Sequence, residues 1–304
     1  MNKIMLTAKE PDRGKRVDSF LAEELEDLTR SYLKKLIDGG AVTVNGRQAK
    51  AGVKLKEDDE VAIELPEDES PDILPEDIPL DILYEDDDIL IVNKPKGMVV
   101  HPAAGHYTGT LVNALLYHLE GRLSGINGVL RPGIVHRIDK NTTGSIIVCK
   151  NDAAHKGMAE LLAVHDIDRK YLAIVHGHFN EEQFTVDKPI GRSRNDRKKM
   201  AVDMESGRRA VTHVKVLQRL GDYSLVECAL ETGRTHQIRV HLASIGHPVL
   251  GDDVYGPKKC PVKGLEGQSL HAYYLGFKHP CTGEYISVYA PVPAYFTKLI
   301  NLYK

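Results

Sequence analysis

His136-Arg137-Ile138-Asp139-Lys140-Asn141-Thr142-Thr143-Gly144 sets one carboxylate beside cations in a polar loop closed by a glycine. Gly133-Ile134-Val135 leads into the loop and the β-branched run Ile146-Ile147-Val148 leads out of it, so the pattern predicts a loop between two buried, strand-like segments. Such a loop presents a reactive tip on a rigid scaffold. An Asp kept ionised by neighbouring cations is able to attack an electrophile. His136 is expected to fix the loop by hydrogen bonding, with Thr142 and Gly144 as further structural support. The nearness of His136 to Asp139 invites a metal reading, but no second His-Asp pair or HxxxH helix accompanies it, so no metal is expected.

At 304 residues and 33.7 kDa the chain fits about two domains, one of them large enough for a substantial core. No stretch approaches the roughly 20 apolar residues of a membrane helix, and MNKIMLTAKEPDRGKR lacks the apolar core of a signal peptide. No membrane partner is expected, and the cytoplasm is the expected compartment. Cys149, Cys228, Cys260 and Cys281 form no CxxC pair, which argues against a zinc ribbon or a disulfide framework and predicts buried thiols.

The formal charge of −3 conceals an uneven distribution. Residues 67 to 88 hold 11 Asp or Glu and no Lys or Arg, which leaves 32 acids against 40 Lys and Arg elsewhere, a net of +8. Basic folded parts joined by an acidic connector suit contact with a phosphate backbone. Pro66, Pro71, Pro75 and Pro79 stiffen the connector. The resulting division is a first domain over 1–66, a linker over 67–80 and a second domain over 81–304.

In the first domain Val17, Phe20, Leu21 and Leu25 fall at helical spacing, as do Tyr32, Leu33, Leu36 and Ile37 behind a Thr29 cap, with Gly39-Gly40 as the stop. Ala41 to Val44 alternates as a strand into the turn Asn45-Gly46, and Val53, Leu55, Val61, Ile63 and Leu65 predict further short strands. Arg30, Lys34, Lys35 and Arg47 stud this unit. The stretch from about 14 to 66, above all TRSYLKKLIDGGAVTVNG, is similar to the S-four-type RNA-binding domain, and the resemblance assigns those four cations to RNA.

In the second part Ile89 to Val92 reads as a strand, Thr110 as the cap of a helix through Tyr117, and Tyr171 to Val175, Val211 to Leu217, Ser224 to Leu230 and Tyr285 to Tyr289 as strands before a last helix from Tyr295. Strands dominate and helices interrupt them irregularly. That predicts an α+β domain with a mixed, largely antiparallel sheet rather than a doubly wound one. Gln237 to Leu242 alternates as a strand, with Gln237, Arg239 and His241 on one face. Arg192, Arg194, Arg197, Lys198 and Lys199 put five cations within eight residues, a phosphate footprint. No GxGxxG, GKS/GKT or GxSxG motif is present, which argues against nucleotide use and serine hydrolysis.

The opening motif resembles the HRLDxxTSG signature of the RluA/RluD type of RNA pseudouridine synthase, with Ile138 in place of Leu and Thr143 in place of Ser. Leu90 to His101 has the look of NKPxGxxVHP, Gly233 to His241 resembles GRxHQIRVH, and Gly246 to Gly256 resembles GHPLLGDxxYG, taken as structural. The resemblance covers nearly the whole chain. It implies isomerisation of uridine within RNA without a cofactor, in a cleft of a central sheet. A monomer is expected. It implies Asp139 as the nucleophile, Arg239 as its cationic partner, and Tyr171 as the aromatic surface under the flipped uracil, with a hydroxyl available for proton transfer at carbon 5. Arg137 matches the residue inserted where the uridine leaves the stack, and Arg234 joins the RNA contacts. Large-subunit (23S) ribosomal RNA or its precursor is the expected substrate, because an S-four-type module precedes the catalytic part. The alternatives are a transfer-RNA enzyme of the same class and a catalytically silent RNA-binding or ribosome-assembly protein.

Overall fold

The computed structural model describes residues 2–25, 30–65, 73–102, 106–128, 131–193, 196 and 199–304, and for residues 2, 30–32 and 65 only the backbone. Thr29, Arg194, Arg197, Lys198 and the side chain of Arg30 thus lie outside the described residues. Contacts divide the chain into two units, Met1–Asp72 and Ile73–Lys304.

The first unit runs β1 (Asn2–Thr7), α1 (Val17–Glu24), α2 (Arg30–Asp38), β2 (Val42–Val44), β3 (Arg47–Gln48) and β4 (Glu60–Leu65), with strands in the order β1-β4-β2-β3. Val17, Phe20 and Leu21 of α1 meet Leu33, Leu36 and Ile37 of α2 over Val42, Val61 and Ile63. That is the helical spacing read from the sequence. Asn45 and Gly46 both take positive φ, 50° and 74°, as a two-residue hairpin turn requires. One expectation fails here: residues 53–55 form no strand beyond an isolated bridge from Lys54 to Arg16. β1 pairs along all of β4.

The second unit contains β5 (Ile82–Glu85), β6 (Ile89–Lys94), α3 (Leu111–His118), β7 (Thr143–Cys149), α4 (Asp152–Ala163), β8 (Ile167–His176), β9 (Gln183–Asp187), β10 (Ile190–Arg192), β11 (Met200–Val202), β12 (Val211–Leu220), β13 (Tyr223–Leu230), α5 (Gln237–Ser244), β14 (Leu270–Lys278), β15 (Tyr285–Tyr289) and α6 (Ala294–Tyr303). Nine strands form one sheet in the order β5-β6-β7-β14-β8-β13-β12-β9, with β15 also on β14. Among the described residues only the β7–β14 pair is parallel, so the sheet is mixed and largely antiparallel. Ile73 is buried with Leu90, Val92 and Leu111, and Leu80 packs on the same cluster. The segment 73–80, read as linker from its prolines and acids, therefore belongs to the second unit, because its apolar residues outweigh its charge.

One edge of β14 is shared. His271 and Ala272 pair with Thr143 and Gly144 of β7, while Tyr274 to Lys278 pair with β15. Gly144 has φ +108°, and a Cβ there would collide with the Ala272 carbonyl, so only glycine lets β7 approach β14. The loop bearing Asp139 enters the sheet at that crossing. Its apolar approach is not a strand, since Ile134 makes only an isolated bridge to Val148. The thiols also divide: Cys149 and Cys228 are buried, but Cys260 is half-buried and Cys281 exposed, the last in the turn between β14 and β15.

Candidate active site

The loop before β7 is held from several sides. His136 Nε2 accepts the Ile147 N–H at 2.8 Å, the Asp139 carbonyl accepts the Thr142 N–H at 3.0 Å, and Gln268 Nε2 donates to Thr142 Oγ1 at 2.9 Å. Burial lowers the His136 pKa to about 3, so the ring is a neutral acceptor. Lys94, fully buried, donates to the carbonyls of Pro95, Met98 and Lys140 at 2.8, 2.9 and 3.0 Å. Burial pulls its pKa down to about 7, against the Asp139 charge. Three carbonyl acceptors match the three protons of an ammonium, which favours the charged form. The loop is thus stapled to the strand end of β6.

Arg239 reaches the loop from α5, and here the sequence reading needs correction. Gln237 to Leu242 is helical, not a strand, and all six residues are buried. Six alternating residues carry too little periodicity to separate the two forms. Tertiary partners decide: Gln237 Oε1 accepts from Thr232 Oγ1 and Arg234 N, and its Nε2 donates to Val211 O and Thr212 Oγ1. His241 likewise joins Thr212 Oγ1 and Lys188 O. Every buried polar group on this helix has a partner.

Arg239 is 4% exposed, and its guanidinium bonds two carboxylates. Nε and Nη2 donate to Asp252 at 2.7 and 2.9 Å, and Nη1 donates to Asp139 Oδ2 at 2.8 Å. Burial would lower the Arg239 pKa, but the Asp252 hydrogen bonds and both carboxylate charges raise it beyond its ordinary value. Burial would raise Asp252, yet Arg239 and the Val254 and Tyr255 amides hold it below the usual carboxylate range. Two carboxylates on one guanidinium leave a net negative charge. Asp252 is sealed, whereas the Asp139 side chain keeps 20% exposure toward a cavity.

That cavity, about 380 Å³, is lined by Asp139, Arg239, Tyr171, Arg137, Arg169 and Arg234 among others, a size suited to a small ligand or a single nucleoside. Tyr171 is 8% exposed; burial raises its pKa, Arg169 opposes and Asp139 adds to the rise, so the phenol stays protonated. Arg137 is exposed, with Nη1 3.4 Å from His101 Nε2. Arg234 Nε donates to Arg209 O. The structure thus brings Asp139, Arg239, Tyr171, Arg137 and Arg234 together with His136 and Thr142. Arg192 and Lys199 sit on the antiparallel β10–β11 hairpin, where Lys199 Nζ donates to Val254 O. Lys34, Lys35 and Arg47 are exposed on the first unit.

Sequence reasoning passed over Arg169, Asp252, His236 and Tyr255. Arg169 alternates with Tyr171 on one face of β8, a signal that was available. Asp252 and Tyr255 gain their roles only by meeting α5. One further group, Asp88, His279 and Cys281, has candidate ligand atoms within 4.8 Å. His279 Nδ1 accepts the Cys281 and Thr282 amides, so its proton lies on Nε2, 3.1 Å from Asp86; that nitrogen is a donor rather than a ligand.

The family profile described as RNA pseudouridylate synthase matches residues 88–244, and the S4 domain profile matches residues 15–61. An uncharacterized RNA pseudouridine synthase of Bacillus subtilis, YlyB, is 52% identical over 99% of this chain and 98% of its own length. Ribosomal large subunit pseudouridine synthase D of Zymomonas mobilis is 49% identical over 95% and 93%. The solved structure of human RNA pseudouridylate synthase domain containing 1 is 30% identical, covers 70% of this chain and 83% of that one, and superposes with a TM-score of 0.59. With this fold, this cavity and these matches, the chain belongs to the RNA pseudouridine synthases and carries an S4 domain ahead of its catalytic unit.

Proposed function

We propose that this enzyme isomerises uridines of large-subunit (23S) ribosomal RNA, with Asp139 as the nucleophile. The observation that carries the nucleophile assignment is the Asp139–Arg239–Asp252 arrangement. It leaves one carboxylate facing the cavity and anchors it through Oδ2. Attack at the anomeric carbon or at carbon 6 serves equally. Either route cleaves the N1–C1′ bond, turns the ring and forms a C5–C1′ bond, after which carbon 5 loses its proton and N1 gains one. Nothing is oxidised and no atom is added, so no cofactor is called for. Tyr171 supplies a flat surface for the extruded base, which gains about 1–3 kcal/mol from stacking against an extrusion cost of a few kcal/mol. Its protonated hydroxyl, buried beside the carboxylate, suits proton transfer at carbon 5. Arg137, exposed at the cavity, is suited to fill the gap that the base leaves in the stack.

The large-subunit substrate is supported by relatives named ribosomal large subunit pseudouridine synthase D, from Zymomonas mobilis and, 42% identical over 96% of this chain, Neisseria meningitidis. Because the C5 hydrogen leaves during the reaction, RNA tritiated at uridine C5 reports turnover. Release from 23S ribosomal RNA and none from transfer RNA is the expected result; release from transfer RNA alone overturns the substrate assignment. Full release by Asp139→Asn would refute the nucleophile.

A further inference from the structure

Arg239 holds Oδ2 of Asp139, while Oδ1 has His236 Nε2 at 3.7 Å. His236 immediately precedes α5 in a left-handed backbone conformation, φ 57° and ψ 18°, which is uncommon for a residue with a side chain and worth a functional explanation. Its other ring nitrogen, Nδ1, lies 2.8 Å from the Tyr255 hydroxyl, and that hydroxyl accepts the Met200 N–H at 2.9 Å. The phenolic proton is then free to point at Nδ1. A neutral imidazole that accepts at Nδ1 carries its proton on Nε2, and the anionic oxygen facing Nε2 selects the same tautomer. Burial lowers the His236 pKa most, the Asp139 charge opposes, and Arg239 and Arg137 lower it again, so the ring is neutral near neutral pH.

We propose that His236 is a positioning residue for the nucleophile: held as the Nε2–H tautomer by Tyr255, it steers Oδ1 of Asp139, the oxygen that Arg239 leaves open, toward the uridine. The 3.7 Å separation closes to a hydrogen bond by a small rotation of the carboxylate. Tyr255 serves both neighbours of Asp139, since the Arg239 guanidinium carbon lies 5.1 Å from its ring centroid. It also ties them to the basic hairpin, because Met200 opens β11. The proposal rests on Asp139 acting as the nucleophile, but its first test does not.

Nitrogen-15 NMR of the full-length protein without RNA reads the tautomer, with the His236 signals assigned by their loss in His236→Asn. Wild type is expected to show Nε2–H, and Tyr255→Phe a shift toward Nδ1–H. An Nδ1–H ring in the wild type, or no change in Tyr255→Phe, overturns the proposal whatever the turnover. In single-turnover tritium release at saturating RNA, Tyr255→Phe and His236→Asn are each expected to be about tenfold slower, with half-saturating RNA changed less than about twofold. Asn tolerates the left-handed backbone but falls short of Oδ1. His236→Gln, which keeps an N–H at longer reach, is expected to recover part of the rate. The double variant is expected to be no slower than the slower single one; multiplicative losses, or a rise in half-saturating RNA that accounts for the loss, overturn the relay. Full turnover by Asp139→Asn would instead defeat the nucleophile and leave the tautomer result standing.

Discussion

Two carboxylates flank Arg239, and their removal should have opposite consequences. Asp252 is buried and bidentate, so Asp252→Ala removes two of the three carboxylate hydrogen bonds of a buried guanidinium, leaves it only Asp139, and is expected to cost about 3 kcal/mol, read from the denaturation midpoint. Asp139→Ala leaves Arg239 paired with Asp252 and should change stability by less than about 1 kcal/mol, while abolishing turnover and keeping RNA affinity within about threefold, because phosphate contacts dominate affinity. His136 gives a pH test. Its folded pKa, about 3, lies below the unfolded value of about 6.5, so the unfolded state takes the proton first and stability is lost as pH falls from about 6.5 toward 3. Wild type should lose up to about 1.4 kcal/mol per pH unit more than His136→Gln over that window, as acid titration of the unfolding midpoint would measure. Asp139, Tyr171 and Arg239 were singled out through the motif resemblance rather than through local periodicity, and the structure gathers all three around one cavity. Asp252 was equally visible as a letter, but its role comes from a partner 13 positions away on another element, which no local pattern encodes.

At the scale of elements, the strands with clean alternation or β-branched runs, such as β6 and β12, were readable, and so were α1 and α2 with their apolar stripes. β14 was not. LHAYYLGFK mixes small and aromatic residues without period, and the partners that make it a strand lie in β7, β8 and β15. The misreading of α5 has the same origin, because hydrogen bonds to Thr212, Thr232 and Val211 fix its form. The β7–β14 crossing makes its own prediction. Gly144→Ala combines a strained φ with a backbone collision and should cost about 3 kcal/mol or more. A denaturation midpoint unchanged from wild type would mean that the two strands separate at no cost.

For the molecule as a whole, charge is segregated along the chain. Acidic residues concentrate between 67 and 88, while Lys34, Lys35 and Arg47 are exposed on the S4 unit. Replacing those three by Gln should weaken RNA binding and flatten the slope of log affinity against log salt by up to about 2, at about 0.7 per phosphate contact on single strands. An unchanged slope would remove that face from the RNA contact. Composition announced this division, whereas its inner boundary was misjudged because Ile73 and Leu80 fold back into a core formed by later residues.

β14 lies between β7 and β8, yet it is synthesised after both. A nascent chain that has emerged through Ser269 already owns Asp139, Tyr171 and Arg239 but lacks the rung that joins the two sheet halves bearing the first two. Closing that gap spans about a hundred residues or more, a slow and late event in folding. Translation therefore delivers a competent enzyme only after β14 has been made, and a premature stop before Leu270 should yield an inert product although every reactive side chain has been made.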